Sequence, residues 1–234
     1  MNNLLFLFTN LLPEPLVIEF VKFYVDFQIK KHARLDVKGL ENLNCDFKRP
    51  YLFICNHLSN SDGLLLNKVL EKENITFVAG KKLESNSLTN LGFKIVRSIP
   101  LLPNSPDKEA IKKVISVIKE GNSILIFPEG TRSRTGKMLA GKKGALLFAK
   151  LTDAPIVPIG IWGTEKFMPI KEDMGKEVFH DADINIRIGK AFHLPKKNND
   201  ETKENWEANR LDYIMTRIAE LLPKEYRGFY DNKV

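Results

Sequence analysis

The chain has 234 residues, of which 43% are hydrophobic and 28% charged, a composition that fits a folded globular protein and excludes a disordered one. Its 36 Lys and Arg against 29 Asp and Glu give a formal charge of +7, which favours an anionic partner such as phosphate, an acidic carrier protein, nucleic acid or an anionic membrane surface. The two cysteines, Cys45 and Cys55, are too few for a disulfide framework and indicate a reducing, cytosolic setting.

The N-terminal 33 residues predict two short apolar helices, broken at Pro13 and Pro15. The first run, LLFLFTNLL, is too short to span a bilayer and lacks the basic flank and cleavage site of a secretory signal. The second, LVIEFVKFYVDFQIKK, has one narrow charged stripe on an otherwise apolar, aromatic circumference. We expect residues 1–33 to anchor the protein on a membrane surface. The alternative is a helical hairpin packed on the core or in an oligomer interface.

Short apolar runs alternate with helical patterns along the rest of the chain. Several runs, such as SILIF and PIVPIGIW, are continuously apolar, as expected of strands that are covered on both faces. The sequence therefore predicts one α/β domain with a mixed, mostly parallel central sheet of about seven strands flanked by helices. The predicted strands are 34–38, 50–55, 75–79, 95–102, 123–128, 155–161 and 183–188.

The segment NHLSNSDG follows the second predicted strand and brings His57 and Asp62 into one polar turn. A turn over residues 58–61 can fold the carboxylate back toward the imidazole, because Asn and Ser side chains stabilise such turns. A carboxylate that accepts the proton-bearing ring nitrogen makes the other nitrogen an acceptor, so His57 could act as a general base on a substrate hydroxyl. The alternative is an ordinary helix-capping Asp62 beside a loop histidine.

Helix signals mark two further elements. Ser105 is a candidate N-cap, Pro106 a first helical residue and Gly121 a terminator, which predicts a helix between the fourth and fifth strands. A closing helix is predicted from an apolar face made of Leu211, Ile214, Ile218 and Leu221.

A second polar cluster, FPEGTRSRTGK at 127–137, follows the buried strand SILI. This is the usual ligand position of an α/β sheet, and the segment offers a carboxylate, glycines, hydroxyls and cations. Arg132 and Arg134 are suited to bidentate phosphate binding, and Lys137 adds positive charge. The alternative is a polar turn whose arginines are merely solvated.

These segments resemble the glycerolipid acyltransferase superfamily, in particular bacterial 1-acylglycerol-3-phosphate acyltransferases. NHLSNSDG is similar to the first family motif, FPEGTRS to the third and APIVPIGI at 154–161 to the fourth. The ending LLPKEYRGFY also resembles the C-terminus of the family. The resemblance covers roughly residues 34–230, so residues 34–234 are expected to form the catalytic domain.

The resemblance implies an O-acyltransferase that moves a fatty acyl group from acyl-CoA or acyl-carrier protein to a lysoglycerolipid hydroxyl in phospholipid biosynthesis, with phosphatidic acid as the expected product. His57 would deprotonate the hydroxyl and Asp62 would orient the ring. Glu129 would hold the acceptor and Pro158 would line the acyl or donor side. The loop residues Gly130 and Thr131 would shape the site, and its cations would be Arg132, Lys137 and Arg97.

One position departs from the resembled pattern. Pro103 stands where the second family motif usually has a phosphate-binding arginine, which leaves another lysolipid, an amino-acid lipid or a glycolipid open as the acceptor. A non-catalytic lipid-binding protein of the same fold is the alternative from another class. No nucleic-acid-reading module or P-loop is recognisable, so nucleic acid is not an expected partner.

The four histidines are scattered without ligand spacing, so we expect no metal site. The resemblance implies no cofactor beyond the acyl donor itself. The expected location is peripheral, on the cytoplasmic side of the cell membrane.

Overall fold

The predicted apolar runs form the strands of a single seven-stranded sheet. The structure, a computed structural model, describes residues 13–44, 47–80, 95–102, 107–170, 178–197 and 200–234. The strands are β1 (Ala33–Lys38), β2 (Leu52–Cys55), β3 (Ile75–Gly80), β4 (Ser98–Leu101), β5 (Ser123–Ile126), β6 (Ile156–Trp162) and β7 (Ala182–Ile188). They lie in the sheet in the order β1-β7-β6-β2-β5-β3-β4. All neighbours are parallel except β6 and β7, so the predicted mixed, mostly parallel α/β fold is confirmed.

Helices cover both faces of this sheet, which explains why its central strands are apolar throughout. Successive residues of β2 point to opposite faces, so Phe53 and Cys55 join one core cluster and Leu52 and Ile54 join the other. The first cluster packs under α1 (Glu14–His32) and α2 (Asp62–Val69). The second packs under α3 (Lys108–Lys119), α4 (Lys143–Thr152) and α6 (Lys203–Ala219). A short α5 (Thr164–Phe167) follows β6.

The start of α3 differs from the prediction. Asp107 lies outside the helix as its N-cap, and its side chain accepts a hydrogen bond from the backbone N of Ala110 at 3.0 Å. A carboxylate therefore caps the helix in place of the predicted Ser105, which lies with Pro106 outside the described residues. Gly121 follows the helix with φ of +83°, a conformation that ends helices, as predicted.

The second predicted N-terminal helix is confirmed as α1, and residues 1–12 lie outside the described part of the chain. One face of α1 packs on the sheet through buried Val17, Val21, Val25 and Ile29. A second apolar stripe points outward, with exposed fractions of 56% for Leu16, 46% for Phe20, 70% for Phe23 and 51% for Phe27. Within the described ranges, no helix combines the length and apolarity that crossing a membrane requires.

The turn after β6 depends on a glycine that no other residue can replace. Gly163 has φ of +89°, and a Cβ there would overlap the backbone carbonyl oxygen of Asp183 on β7. We expect Gly163→Ala to lower the free energy of unfolding by more than about 1 kcal/mol, because both the conformation and the contact disfavour a side chain. Chemical denaturation measures this change.

The matched control is Gly144→Ala, on α4. A Cβ at Gly144 would meet no atom within 4 Å, and alanine is the better helix former, so this variant should gain up to about 1 kcal/mol. Equal stability of the two variants would contradict the assigned constraint at Gly163.

Candidate active site

His57 and Asp62 are in direct contact at the carboxyl end of β2. The buried Asp62 Oδ2 lies 2.8 Å from His57 Nδ1 and also accepts the backbone N–H groups of Leu58 at 2.7 Å and Ser59 at 2.9 Å. One carboxylate oxygen therefore closes the predicted turn and fixes the imidazole. With Nδ1–H donated to Asp62, His57 Nε2 is the nitrogen that can accept a proton. The geometry suits a general base with an orienting carboxylate.

Two neighbours hold the histidine from either side of β2, and sequence reasoning missed both. Phe127, the residue after β5, stacks on the imidazole with ring centroids 3.9 Å apart and planes 14° apart. The buried Asn56 side chain donates to the backbone O of Ile161 at 2.7 Å and accepts from its N at 2.8 Å. The available signal was position, since Asn56 directly follows the predicted strand 50–55 and Phe127 is the last but one residue of the predicted strand 123–128. Together they join the ends of β5, β2 and β6.

Glu129 is a structural brace between the two polar loops. Its side chain is buried, and its Oε1 accepts the backbone N–H of His57 at 3.0 Å while Oε2 accepts that of Leu139 at 2.9 Å. The pKa of Glu129 is raised to about 8, chiefly because the group is buried; the two backbone hydrogen bonds act in the opposite direction, and the nearby Asp62 carboxylate adds to the rise. The sequence predicted that Glu129 holds the acceptor, whereas in the structure both carboxylate oxygens bind backbone.

The loop after Glu129 begins with a left-handed residue, Gly130, at φ of +65°. A Cβ at Gly130 would lie 2.9 Å from Cδ of Lys142, so the aliphatic part of that lysine covers the glycine. Thr131 is exposed and Arg132 is half-buried. These residues lie beside Glu129, so the predicted acid, glycine, hydroxyl and cation share one turn.

Ser133 connects this loop to the histidine. Its backbone N donates to the carbonyl oxygen of His57 at 2.8 Å. Its hydroxyl oxygen accepts the backbone N–H groups of Thr135 at 3.3 Å and Lys137 at 3.2 Å. His57 is therefore tied to the 129–137 loop through both its backbone N and its backbone O.

The same loop forms one wall of an open cleft of about 440 Å³. Two cations of this loop, Arg134 and Lys137, line the cleft together with two carboxylates, Glu165 and Glu225, a tyrosine and apolar groups. A cleft of this character suits an anionic, partly apolar ligand. Its lining residues are Ser133, Arg134, Thr135, Gly136, Lys137, Glu165, Pro169, Ile170, Glu225 and Tyr226.

Arg97 is incompatible with its predicted place in the site. Its guanidinium donates to the side chain of Asn74, which in turn contacts Asn122. These three residues precede the parallel strands β4, β3 and β5, so they lie at the amino edge of the sheet. His57 lies at the carboxyl edge, and a side chain cannot change edges because the strand direction fixes it.

Two further predicted positions lie elsewhere. Pro158 is buried within β6, paired with Ile54, and its backbone O accepts the N–H of Gly189 at 2.8 Å. The proline thus lies inside the sheet and is not one of the residues that line the cleft. Pro103, where the second motif departs from the resembled pattern, lies outside the described residues.

Comparisons with known proteins agree with the resemblance. The family model described as Acyltransferase matches residues 34–162. A chloroplastic 1-acyl-sn-glycerol-3-phosphate acyltransferase of Brassica napus is 29% identical over 75% of this chain and 50% of its own length. The enzyme of that name from Bacillus subtilis is 29% identical over 67% of this chain and 73% of its own. The one from Saccharomyces cerevisiae is 33% identical over 80% and 61%.

The chain spans about half the length of the two chloroplastic relatives it matches. The fold is similar to the crystal structure of the 1-acyl-sn-glycerophosphate (LPA) acyltransferase PlsC from Thermotoga maritima, with a TM-score of 0.62 at 22% identity over 94% of this chain and 88% of that one. Because the family model covers more than half of the sequence and includes the histidine, the aspartate and the 129–137 loop, this chain belongs to the Acyltransferase family.

Proposed function

We propose that this protein transfers a fatty acyl group from an acyl thioester, acyl-CoA or acyl-carrier protein, to the hydroxyl of 1-acyl-sn-glycerol-3-phosphate, giving phosphatidic acid. The observation that carries the proposal is the His57–Asp62 contact, braced beside a loop that carries arginine and lysine. The names of the relatives support the acceptor class.

The chemistry follows from the free ring nitrogen. His57 Nε2 takes the proton of the acceptor hydroxyl as its oxygen attacks the thioester carbonyl carbon. The tetrahedral intermediate collapses with cleavage of the C–S bond, an ester forms, and the imidazolium returns the proton to the leaving thiolate. Asp62 stabilises the imidazolium through the 2.8 Å contact at Nδ1. No cofactor is required besides the acyl donor.

The acceptor phosphate is assigned to the cationic side of the 129–137 loop. Arg134 and Lys137 line the cleft, and Arg132 lies on the same turn. Charged hydrogen bonds to phosphate are short and strong, so these side chains can fix the lysolipid while its hydroxyl reaches the histidine. Glu129 acts in this proposal by positioning the backbone of His57 rather than by contacting substrate.

The role of His57 is tested by replacing it with alanine. We expect His57→Ala to reduce kcat about 10²- to 10⁴-fold, the usual contribution of a general base, while the thermal unfolding midpoint changes little. Purified protein with radiolabelled acyl donor and lysophosphatidic acid gives the rate. His180→Ala is the control, because His180 is an exposed loop residue and should retain the wild-type rate. Near-normal transfer by His57→Ala would exclude the mechanism.

The alternative acceptors are another lysolipid, an amino-acid lipid or a glycolipid. They are favoured by Pro103, which stands where the resembled motif has a phosphate-binding arginine. We expect lysophosphatidic acid to give the highest kcat/KM in a panel with neutral lysolipids, an amino-acid lipid and a glycolipid, each crossed with acyl-CoA and acyl-carrier protein. A higher kcat/KM for another acceptor would replace it as the substrate. Lipid binding with no turnover of either donor would instead indicate a non-catalytic protein.

We place residues 1–33 on the membrane surface as an anchor and residues 34–234 above it as the catalytic domain, on the cytoplasmic side where acyl thioesters are made. The outward stripe of α1 carries Phe20, Phe23 and Phe27, and Lys30 and Lys31 follow in its last turn. An aromatic stripe flanked by cations is typical of helices that lie in a membrane interface.

This membrane contact is tested with the double variant Phe23→Ser/Phe27→Ser. Each buried phenylalanine contributes about 1.5–3 kcal/mol, so we expect the loss of two to lower the affinity for vesicles of phosphatidylglycerol and phosphatidylethanolamine about 100-fold or more. Cosedimentation with vesicles measures it. The control, Leu151→Ser, removes a 43% exposed leucine from α4 and should leave vesicle binding unchanged. Equal vesicle binding by both variants would contradict the anchor.

A further inference from the structure

The C-terminal segment, residues 223–233, is joined to the loop that follows the candidate site. Met138 makes two backbone hydrogen bonds to this segment: its N donates to the carbonyl oxygen of Tyr226 at 2.9 Å, and its O accepts the N–H of Phe229 at 3.1 Å. Three residues farther on, Gly141 N donates to the hydroxyl oxygen of Tyr230 at 3.0 Å. We name residues 223–233 the C-terminal clasp.

The clasp approaches the loop so closely that one position must be glycine. Gly228 has φ of +52°, and a Cβ there would overlap the carbonyl oxygen of Met138 and lie 2.9 Å from its backbone N. Both atoms belong to the main chain, so no side-chain rotation could relieve the contact. The pairing of the clasp with residue 138 is therefore a close backbone fit.

The clasp also makes contacts with the rest of the protein near both of its ends. The Tyr226 hydroxyl donates to Glu165 Oε1 at 2.9 Å, and Glu165 Oε2 accepts the backbone N–H of Gly163, just after β6, at 2.9 Å. Lys233 Nζ lies 2.6 Å from Asp212 Oδ2 on α6 and 5.3 Å from the centre of the Tyr230 ring. The clasp is thus attached to β6 and α6 and is not a loose tail.

The clasp is linked to the histidine through the backbone of residues 138–141 and two hydrogen bonds of Glu129. Leu139, which lies between the bonded residues Met138 and Gly141, donates its backbone N–H to Glu129 Oε2 at 2.9 Å, and Glu129 Oε1 accepts the N–H of His57 at 3.0 Å. Tyr230 and Glu129 are each 1% exposed. Water has little access to these groups, so a bond that is lost here is not readily replaced.

We propose that the C-terminal clasp sets the position of His57 through residues 138–141 and Glu129, with Tyr230 and Gly228 as positioning residues. The inference rests on the proposed acyl transfer for its kinetic consequence, but its structural part is independent of that function. Tyr230 does not line the cleft, so its effect should fall on the rate of the chemical step and not on binding.

The test is Tyr230→Phe, which removes only the hydroxyl that Gly141 binds. We expect kcat to fall about tenfold to 100-fold with KM for both substrates unchanged, because a shift of about 1 Å in a catalytic group costs about that much. The matched control is Tyr213→Phe on α6, where the ring packs edge-on against Phe192, and this variant should keep the wild-type kcat.

A second readout does not depend on activity. With isotope-labelled histidine, the ring resonances of His57, assigned by their loss in His57→Gln, should shift in Tyr230→Phe and stay in place in Tyr213→Phe. Gly228→Ala should shift them further if it folds.

The proposal is overturned if Tyr230→Phe keeps the wild-type kcat and leaves the His57 ring resonances in place. It is also overturned if Tyr230→Phe and Tyr213→Phe change kcat and these resonances equally. If the wild-type protein transfers no acyl group, the proposed function fails while the resonance experiment still decides on the clasp.

Discussion

The buried carboxyl group of Glu129 makes the interaction on which the site depends. It accepts one backbone N–H from each of two loops that are far apart in sequence, at His57 and at Leu139. Burial raises its pKa to about 8, so in the folded protein this group holds a proton more tightly than in the unfolded chain. The fold tolerates that cost because the two backbone donors would otherwise lie in the interior without acceptors.

The side chain of Asp62, in the turn after β2, likewise accepts hydrogen bonds from backbone N–H groups. Its Oδ2 accepts three hydrogen bonds, one from the imidazole of His57 and two from the backbone N–H groups of Leu58 and Ser59. The same oxygen therefore stabilises the turn and orients the ring. Within the described part of the chain, Asp62 Oδ1 is buried without a hydrogen-bond partner. The residue is therefore held by donors on one oxygen only, and the imidazole is one of the groups that stabilise its charge.

The sequence predicted those features that local physics decides. Apolar runs placed all seven strands, and the polar turn after β2 correctly joined His57 to Asp62. Long-range facts were beyond its reach. Arg97 was assigned to the site although the direction of β4 puts it at the opposite sheet edge, and Glu129 faces backbone because the loop folds back onto residue 139. Neither fact can be inferred from spacing, since the first depends on the direction of β4 in the sheet and the second on how the loop between β5 and α4 folds.

The protein holds His57 by several contacts, whereas the cleft wall with Arg134 and Lys137 is a separate part of the site. Its backbone N, its backbone O, its Nδ1 and one ring face are all engaged by the protein. A histidine held in this way loses little freedom when substrate arrives, and that favours reaction but gives no information about which hydroxyl is presented. In the proposed function, selection of the acceptor is assigned to the cleft wall with Arg134 and Lys137. Among the described contacts of His57, none is made by the side chain of Arg134 or Lys137, so we expect changes in these two side chains to alter the acceptor without disturbing the base.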